Sequence, residues 1–347
     1  MADQIPLFIA FDDNYVPFGG CVIKSALLNK SDKYDFSFYV LHEGLSLTAQ
    51  QTLTQMVEEH PGAQIHFLDV GDYFAKMELH VHTIYNRATY YRLAIPDLLP
   101  DAKRGIYLDS DLIINGDLCE LYDWDLQGKS LAAARDVMMY SLVRTSALTN
   151  RESGSLPIRR YFSEVLGLPD PEYYYQAGVF VLDLARLREL NRLPQMMELA
   201  ANQKYWMADQ DILNSLFVGD IAILPQRWNL LTGGGEYQHF LAKVDGPLMD
   251  EYRSARQQPA IIHYASYTKP WSYADIDYAP LFWQVLRQTP WQHQIYDWLQ
   301  AGKIKSVAAL PYAMSWKTIL TAFGERLFPK GAWHRTALIY LQRKLAG

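Results

Sequence analysis

Short apolar runs alternate with segments of helical periodicity through the first three-quarters of the chain. The apolar runs have the length of buried strands and comprise residues 5–11, 36–41, 65–70, 105–108, 131–134, 178–183 and 260–264. Between the first runs, apolar residues recur at three- and four-residue spacing over 16–27 and 49–57, with Ser46 as a helix cap. Strands separated by helices are typical of βαβ units, so the pattern predicts an α/β fold with a mostly parallel sheet.

Later segments complete this prediction. Residues 89–99 have a helical pattern that Pro96 interrupts, and Asp183 has the position of a helix cap after its strand. Residues 137–172 are polar and lack clear periodicity, which favours a lid or a substrate-binding loop. The sheet is expected to extend to about residue 265, and a small helical appendage to follow it.

Acidic and imidazole side chains stand where predicted strands end. The first strand leads into Asp12 and its polar neighbours, the fourth into Asp109 and Asp111, and the last apolar run contains His263. Ligands of open α/β sheets bind at the carboxyl ends of the strands, so these groups are expected to converge. Mixed carboxylate and imidazole ligands suit Mn²⁺, with Mg²⁺ as the alternative.

Plainer interpretations of the same residues remain open. Asp and Ser are common in turns, so the Asp109-Ser-Asp111 segment is also compatible with a simple turn after a strand. His263 is also compatible with a core histidine bound to a backbone carbonyl. No glycine-rich phosphate loop follows the first strand, so a phosphate ligand would need a metal and basic side chains, for which Arg92 and Lys269 are available.

Composition narrows the class of protein. Half of the 347 residues are hydrophobic, which is ample for a large core, and the net charge of −6 argues against a nucleic-acid binder. The chain has two cysteines, no run of 18 apolar residues and no basic leader. These features predict a cytoplasmic protein without disulfides or membrane-spanning segments.

Five stretches are informative together because of their order and spacing. They are residues 8–15, 88–93, 106–111, 176–184 with 208–211, and 263–271. In this arrangement they resemble glycosyltransferase family 8, a group with the GT-A (Rossmann-like) nucleotide-diphospho-sugar transferase fold. That group includes bacterial lipopolysaccharide glucosyl- and galactosyltransferases and glycogenin. The resemblance implies a catalytic domain over residues 1–275 and leaves 276–347 as a helical, basic and aromatic C-terminal region.

The resemblance also implies a role for each matching position. Asp109 and Asp111 would be the metal-binding Asp-x-Asp pair, with His263 as the third ligand. Gln210 and Asp209 would be the catalytic residues, with Gln210 closest to the anomeric centre. The residues implied in donor binding are Ala10, Asp12, Asn14, Arg92, Asp109, Gln176, Ala177, Asp209, Ser266 and Lys269. Two positions depart from the family pattern, because Gln176 replaces an Asn and Ser266 replaces a Gly.

The function implied is that of a retaining, metal-dependent hexosyltransferase. It would move glucose or galactose from a UDP-sugar to a hydroxyl of a cell-surface glycan or lipopolysaccharide-type acceptor. The alternative is a non-catalytic protein that binds sugar nucleotides or glycans on the same fold. A nucleotidyltransferase is disfavoured, because it needs a Gly- and Arg-rich loop where this chain has Asp12-Asp-Asn14.

The C-terminal region differs in charge from the rest of the chain. Residues 303–347 carry eight Lys or Arg and one acid, Glu325, which gives a net charge of +7. Basic residues interleaved with aromatic ones are typical of segments that lie on anionic membranes. We therefore expect a peripheral protein on the inner face of the cytoplasmic membrane. The alternative is a terminal helix packed on the core with a solvated basic face.

Overall fold

The computed structural model describes residues 4–80, 87–145, 147–149, 154–170, 172–233, 241 and 244–305. The strands are β1 (Gln4–Ala10), β2 (Asp35–His42), β3 (Ala63–Asp69), β4 (Arg104–Leu108), β5 (Leu112–Ile114), β6 (Leu131–Ala133), β7 (Val179–Asp183), β8 (Ile221–Ile223), β9 (Leu230–Leu231) and β10 (Ile261–His263). The α-helices are α1 (Val16–Leu28), α2 (Leu47–Glu58), α3 (Gly71–Phe74), α4 (Ile95–Leu98), α5 (Leu118–Tyr122), α6 (Val137–Arg144), α7 (Ile158–Glu164), α8 (Leu184–Glu189), α9 (Arg192–Asn202), α10 (Asp209–Leu216), α11 (Pro247–Ala255), α12 (Ala279–Leu286) and α13 (Gln294–Gln300).

Seven strands form the central sheet in the order β3-β2-β1-β4-β7-β6-β8. Its strand pairs are parallel except on the two sides of β7, which runs antiparallel to β4 and β6. The prediction of an α/β fold with a mostly parallel sheet is confirmed. The reversal of β7 matters for the site, because its amino end, at Val179, pairs with the carboxyl end of β4 at Leu108.

The segment that contains His263 does not belong to the central sheet. β10 pairs with β5 and β9 in a separate three-stranded sheet, so the expectation of one sheet reaching residue 265 was wrong. In this second sheet β10 is antiparallel to β5, and His263 is paired with Leu112. Since Leu112 directly follows Asp111, this register brings the imidazole beside the aspartates.

The central sheet is covered on both faces. On β1, Leu7 and Ile9 join one hydrophobic cluster, whereas Phe8 joins a second one on the opposite face. Alternate residues of a strand point to opposite faces, so a strand buried on both faces is apolar throughout. This explains why the first strand is a continuous apolar run rather than an alternating one.

The prediction of a loop over 137–172 was wrong in its described parts. Helices α6 and α7 lie there, and Val137, Tyr140, Ile158 and Phe162 are buried. Both helices are shorter than ten residues, so neither shows enough turns to give a recognisable period. The pattern over 89–99 was better interpreted, since a 3-10 helix (Arg87–Ala94) continues into α4 with a proline in its first turn.

Two predicted caps are confirmed. Ser46 accepts a hydrogen bond from the backbone N–H of Ala49, and Asp183 accepts one from that of Arg186. Helices α12 and α13 lie in the described part of the predicted C-terminal region, and buried residues of α12 join the same hydrophobic cluster as β1. Most of the basic region, from residue 306 onward, lies outside the described residues. No helix among the described residues is long and apolar enough to cross a membrane.

Candidate active site

A cavity of about 560 Å³ lies at the edge of the central sheet where β1 and β4 end. Segments that are distant in sequence line this cavity because the sheet topology brings them together. Asp12 follows β1, Asp109 follows β4, and Gln176 precedes the antiparallel β7. The edge is the one at which ligands of α/β proteins bind, because the carboxyl ends of the parallel strands meet there.

The residues singled out in the sequence are brought together here, with one exception. Those that line the cavity are Ala10, Asp12, Arg92, Asp109, Asp111, Gln176, Ala177, Asp209, Gln210, His263, Ser266 and Lys269. Asn14 instead lines a neighbouring groove that also contains Trp271 and Lys303. Asp12 is held by its own turn, where its carboxylate accepts hydrogen bonds from the backbone N–H groups of Asn14 and Tyr15.

Asp109, Asp111 and His263 form a cluster that could hold one cation. One ligand atom from each residue lies within 4.8 Å of the others. Nε2 of His263 is 3.2 Å from Oδ1 of Asp111 and 3.7 Å from Oδ2 of Asp109. Two carboxylates and an imidazole are a suitable set of ligands for a divalent ion such as Mn²⁺.

The surroundings of Asp111 fit a bound cation. Its Oδ1 is buried and has no hydrogen-bond partner among the described residues, whereas its Oδ2 is 2.6 Å from Nζ of Lys269. Burial by itself would raise the pKa of Asp111, but the charges of Lys269 and His263 outweigh it and hold the pKa well below its usual range. The carboxylate is therefore ionised, and an ionised buried oxygen without a donor is suited to a metal ion.

Arg92 joins three parts of the site from within the protein. Its guanidinium donates to Oδ1 of Asp109 at 2.7 Å and to the backbone carbonyl of Ala177, and its Nε lies 3.0 Å from Oδ2 of Asp209. Burial alone would lower the pKa of Arg92, but the two carboxylates raise it above its ordinary value. The side chain thus stays charged and holds Asp109 and Asp209 in place.

Asp209 and Gln210 begin α10 directly after a strained residue. Ala208 has φ +49° and ψ −123°, a conformation that residues with a Cβ rarely adopt. Asp211 stabilises this turn, because its carboxylate accepts hydrogen bonds from the hydroxyls of Tyr161 and Tyr174 and from the N–H of Met207. Burial raises the pKa of Asp211 to about 6. These contacts determine where the first turn of α10 faces the cavity.

Gln210 is fixed at both ends of its amide. Its Oε1 accepts from the backbone N–H of Ala177 at 2.9 Å, and its Nε2 donates to Oδ2 of Asp136 at 3.1 Å. The side chain is 6 % exposed yet lines the cavity. Its dipole is thus held in one orientation before any ligand binds, as electrostatic stabilisation of a reacting centre requires.

Three residues around the site were not predicted from the sequence. Asp136 lines the cavity, Asn229 contacts His263, and the Tyr107 hydroxyl donates to Asp109 at 2.9 Å. Only Asp136 carries a sequence signal, since it follows β6 and accepts a hydrogen bond from Met139 as the cap of α6. Burial is the main cause that raises the pKa of this carboxyl.

The fold and the site define a sugar transferase of the GT-A class. This assignment is supported by comparison with solved structures, among them the WbbM bifunctional glycosyltransferase, with a TM-score of 0.80 and 30 % identity. Residues 6–275 match glycosyl transferase family 8, and the chain belongs to that family. The resemblance noted in the sequence is confirmed.

Other relatives give the same picture. The galactosyltransferase LgtC, solved with donor and acceptor sugar analogues, has a TM-score of 0.65 and 25 % identity over 82 % of this chain and 96 % of its own. The lipopolysaccharide 1,2-glucosyltransferase of Escherichia coli K12 is 24 % identical over 81 % of this chain and 77 % of its own. General stress protein A of Bacillus subtilis is 25 % identical over 75 % of this chain and 85 % of its own. The WbbM match covers 86 % of this chain but about half of WbbM, 52 %.

Proposed function

We propose that this glycosyltransferase is a metal-dependent, retaining hexosyltransferase. It transfers glucose or galactose from a UDP-sugar to a hydroxyl of a cell-surface glycan, with a lipopolysaccharide-type acceptor as the leading candidate. The observation that carries this proposal is the convergence of the Asp109-Asp111-His263 cluster, Lys269 and Gln210 on one cavity. The name of the lipopolysaccharide 1,2-glucosyltransferase supports the class of acceptor, and that of the galactosyltransferase LgtC supports a hexose donor.

The donor's diphosphate is the leaving group, and its negative charge grows as the bond to the sugar breaks. A divalent ion held by Asp109, Asp111 and His263 would neutralise part of that charge. Lys269 lies against Asp111 and supplies a further positive charge at the same place. Asp12 and Ala10, at the end of β1, lie at the part of the cavity that we assign to the uridine.

Retention of configuration requires that the acceptor hydroxyl arrive on the face that the phosphate leaves. Gln210 is a poor nucleophile, and Asp209 is buried and held against Arg92. We therefore favour a front-face substitution, in which the Gln210 amide stabilises the cationic sugar. The departing phosphate accepts the proton of the attacking hydroxyl. A double displacement through either residue would need a free carboxylate nucleophile, as retaining glycosidases have.

A screen for hydrolysis of UDP-sugars, with and without Mn²⁺, tests this proposal without a known acceptor. We expect slow, metal-dependent release of UDP from one hexose donor. The alternative function, non-catalytic binding of sugar nucleotides, predicts tight binding without turnover. The fixed amide of Gln210 favours catalysis over binding alone, because a group held in one orientation suits stabilisation of a reacting centre.

Gln210→Ala is expected to lower kcat by about two orders of magnitude while the KM for the donor changes little. An interaction that is made mainly in the transition state has this signature. Steady-state kinetics with the best donor provide the measurement. Gln55→Ala, at an exposed position of α2, is the matched control and should match the wild type. A large rise in KM at unchanged kcat would make Gln210 a plain binding residue.

We further propose that the basic C-terminal region attaches the enzyme to the inner face of the cytoplasmic membrane, where a lipid-linked acceptor is met. Full-length protein should sediment with anionic vesicles at low salt, and deletion of residues 312–347 should release it while donor hydrolysis persists. High salt should weaken attachment, because the attraction is screened. Neutral vesicles are the control. Absence of binding to anionic vesicles at low salt would contradict this assignment.

A further inference from the structure

A row of buried amide groups leads from the backbone of Gly178 to His263. Oε1 of Gln176 accepts from the N–H of Gly178 at 2.5 Å and from Nδ2 of Asn229 at 2.6 Å. Oδ1 of Asn229 lies 2.9 Å from Nδ1 of His263. The three side chains are nine-tenths buried or more, with Asn229 at 1 % exposure. These four residues are called the amide relay below.

The relay has one direction, and the backbone sets it. The oxygen and nitrogen of a side-chain amide are similar in size, so each amide could in principle be reversed. A backbone N–H can only donate, however, so Gln176 must present its oxygen to Gly178. The same oxygen then requires a donor from Asn229, which must turn its NH₂ towards Gln176. The oxygen of Asn229 therefore faces His263.

This direction determines which nitrogen of His263 carries the proton. Nδ1 faces an acceptor and must be the N–H, so in the neutral ring Nε2 has a free lone pair. That lone pair lies among the carboxylate oxygens of Asp111 and Asp109, at 3.2 Å and 3.7 Å. With the neutral ring, three acceptors therefore face one another, and a cation among them would stabilise the arrangement.

We propose that Gln176 and Asn229 are positioning residues for the metal, and this inference rests on the proposed metal-dependent function. Asn229 holds His263 in the tautomer and ring orientation of a metal ligand, and Gln176 keeps Asn229 from reversing. A reversed Asn229 would present its NH₂ to Nδ1 and move the proton to Nε2, which removes the ligand. Substitution of a residue that hydrogen-bonds to a metal ligand commonly weakens metal binding by about 10- to 100-fold.

The rival explanation is that the buried amides only fill space. Two substitutions at position 229 separate the explanations, because their expected order is opposite. Asn229→Asp keeps an oxygen acceptor for Nδ1–H, and in its protonated form, which burial favours, its O–H replaces the NH₂ that Asn229 donates to Gln176. Asn229→Leu keeps the approximate shape and lacks an acceptor. Packing alone predicts that Leu is tolerated better, whereas positioning of His263 predicts that Asp is.

The experiment measures the dissociation constant of Mn²⁺ for the full chain in the presence of saturating UDP, from the electron paramagnetic resonance signal of free Mn²⁺. We expect Asn229→Leu to bind Mn²⁺ at least about 10-fold more weakly than the wild type, and Asn229→Asp to stay within about threefold. Gln176→Met and Gln176→Glu repeat the comparison one step further along the relay. These two variants replace the comparison at position 229 if one of its variants does not fold. Thermal unfolding measurements show whether each variant is folded.

The outcomes separate this inference from the proposed function. A wild-type protein that binds no Mn²⁺ would overturn both. A wild type that binds Mn²⁺, with Asn229→Leu equal to it, would overturn the relay alone and leave the metal-dependent transferase in place. Weaker binding by Asn229→Asp than by Asn229→Leu would likewise overturn it, since that order belongs to packing.

Discussion

Asp111→Asn is expected to abolish sugar transfer and to weaken Mn²⁺-dependent binding of UDP by more than about 100-fold, beyond the range for residues outside the coordination sphere. The substitution removes a charged ligand whose buried Oδ1 has no hydrogen-bond partner among the residues that the structure describes. It also leaves Lys269, 2.6 Å away, without its partner carboxylate. Removal of one partner of a buried ion pair leaves the other charge uncompensated at a high free-energy cost. We therefore expect binding of both the metal and the diphosphate to weaken.

Calorimetry of UDP binding with and without Mn²⁺ is the measurement. Asp109→Asn should behave in the same way, although it also removes one of the two carboxylates that contact Arg92. Asp245→Asn removes an exposed carboxylate that does not line the cavity, and it should bind UDP as the wild type does. Undiminished metal-dependent affinity in both active-site variants would refute the assignment of the metal ligands.

Gly178→Ala is expected to reduce Mn²⁺-dependent UDP affinity by more than about tenfold, as a displaced ligand should. A Cβ at this position would lie 2.7 Å from Oδ2 of Asp109, 2.8 Å from Nδ1 of His263, and in contact with the His263 Cε1. The methyl group would therefore enter the space between two proposed ligands and push them apart. Overpacking of this kind also costs about 1–3 kcal/mol of stability.

Gly105→Ala is the matched control for this steric effect. It lies on β4, and its Cβ would come 2.7 Å from the ring of Phe8 in the core. We expect a comparable loss of thermal stability but no change in Mn²⁺ affinity. If Gly178→Ala loses stability and retains wild-type metal affinity, the three ligand residues do not hold a common ion.

Much of the site could be predicted from the sequence because its residues lie at strand ends. Asp12 follows β1 and Asp109 follows β4, and both strands are continuous apolar runs. Local pattern is sufficient for such positions, since a parallel sheet places the carboxyl ends of its strands at one edge. The motif spacing then indicated the family, which the match over 6–275 confirms.

The failures have a common cause, which is that they depend on contacts distant in sequence. Helix α6 was taken for part of a loop because its burial is decided by packing, since Val137 and Tyr140 join a cluster with Leu230 and Leu248. Asn229 has no motif of its own. It matters only because a short 3-10 helix (Gln226–Asn229) places it beside His263.

The sequence by itself determined the α/β class, the parallel strands, two helix caps and most of the residues that converge on the cavity. These depend on periodicity, on capping and on the position of polar residues after strands, all of which are local. The tertiary structure alone decided that β7 is reversed, which brings Gln176 to the cavity, and that His263 arrives through a second sheet in register with Leu112. Strand direction and register are set by pairing between distant segments, and no local pattern records which segments pair.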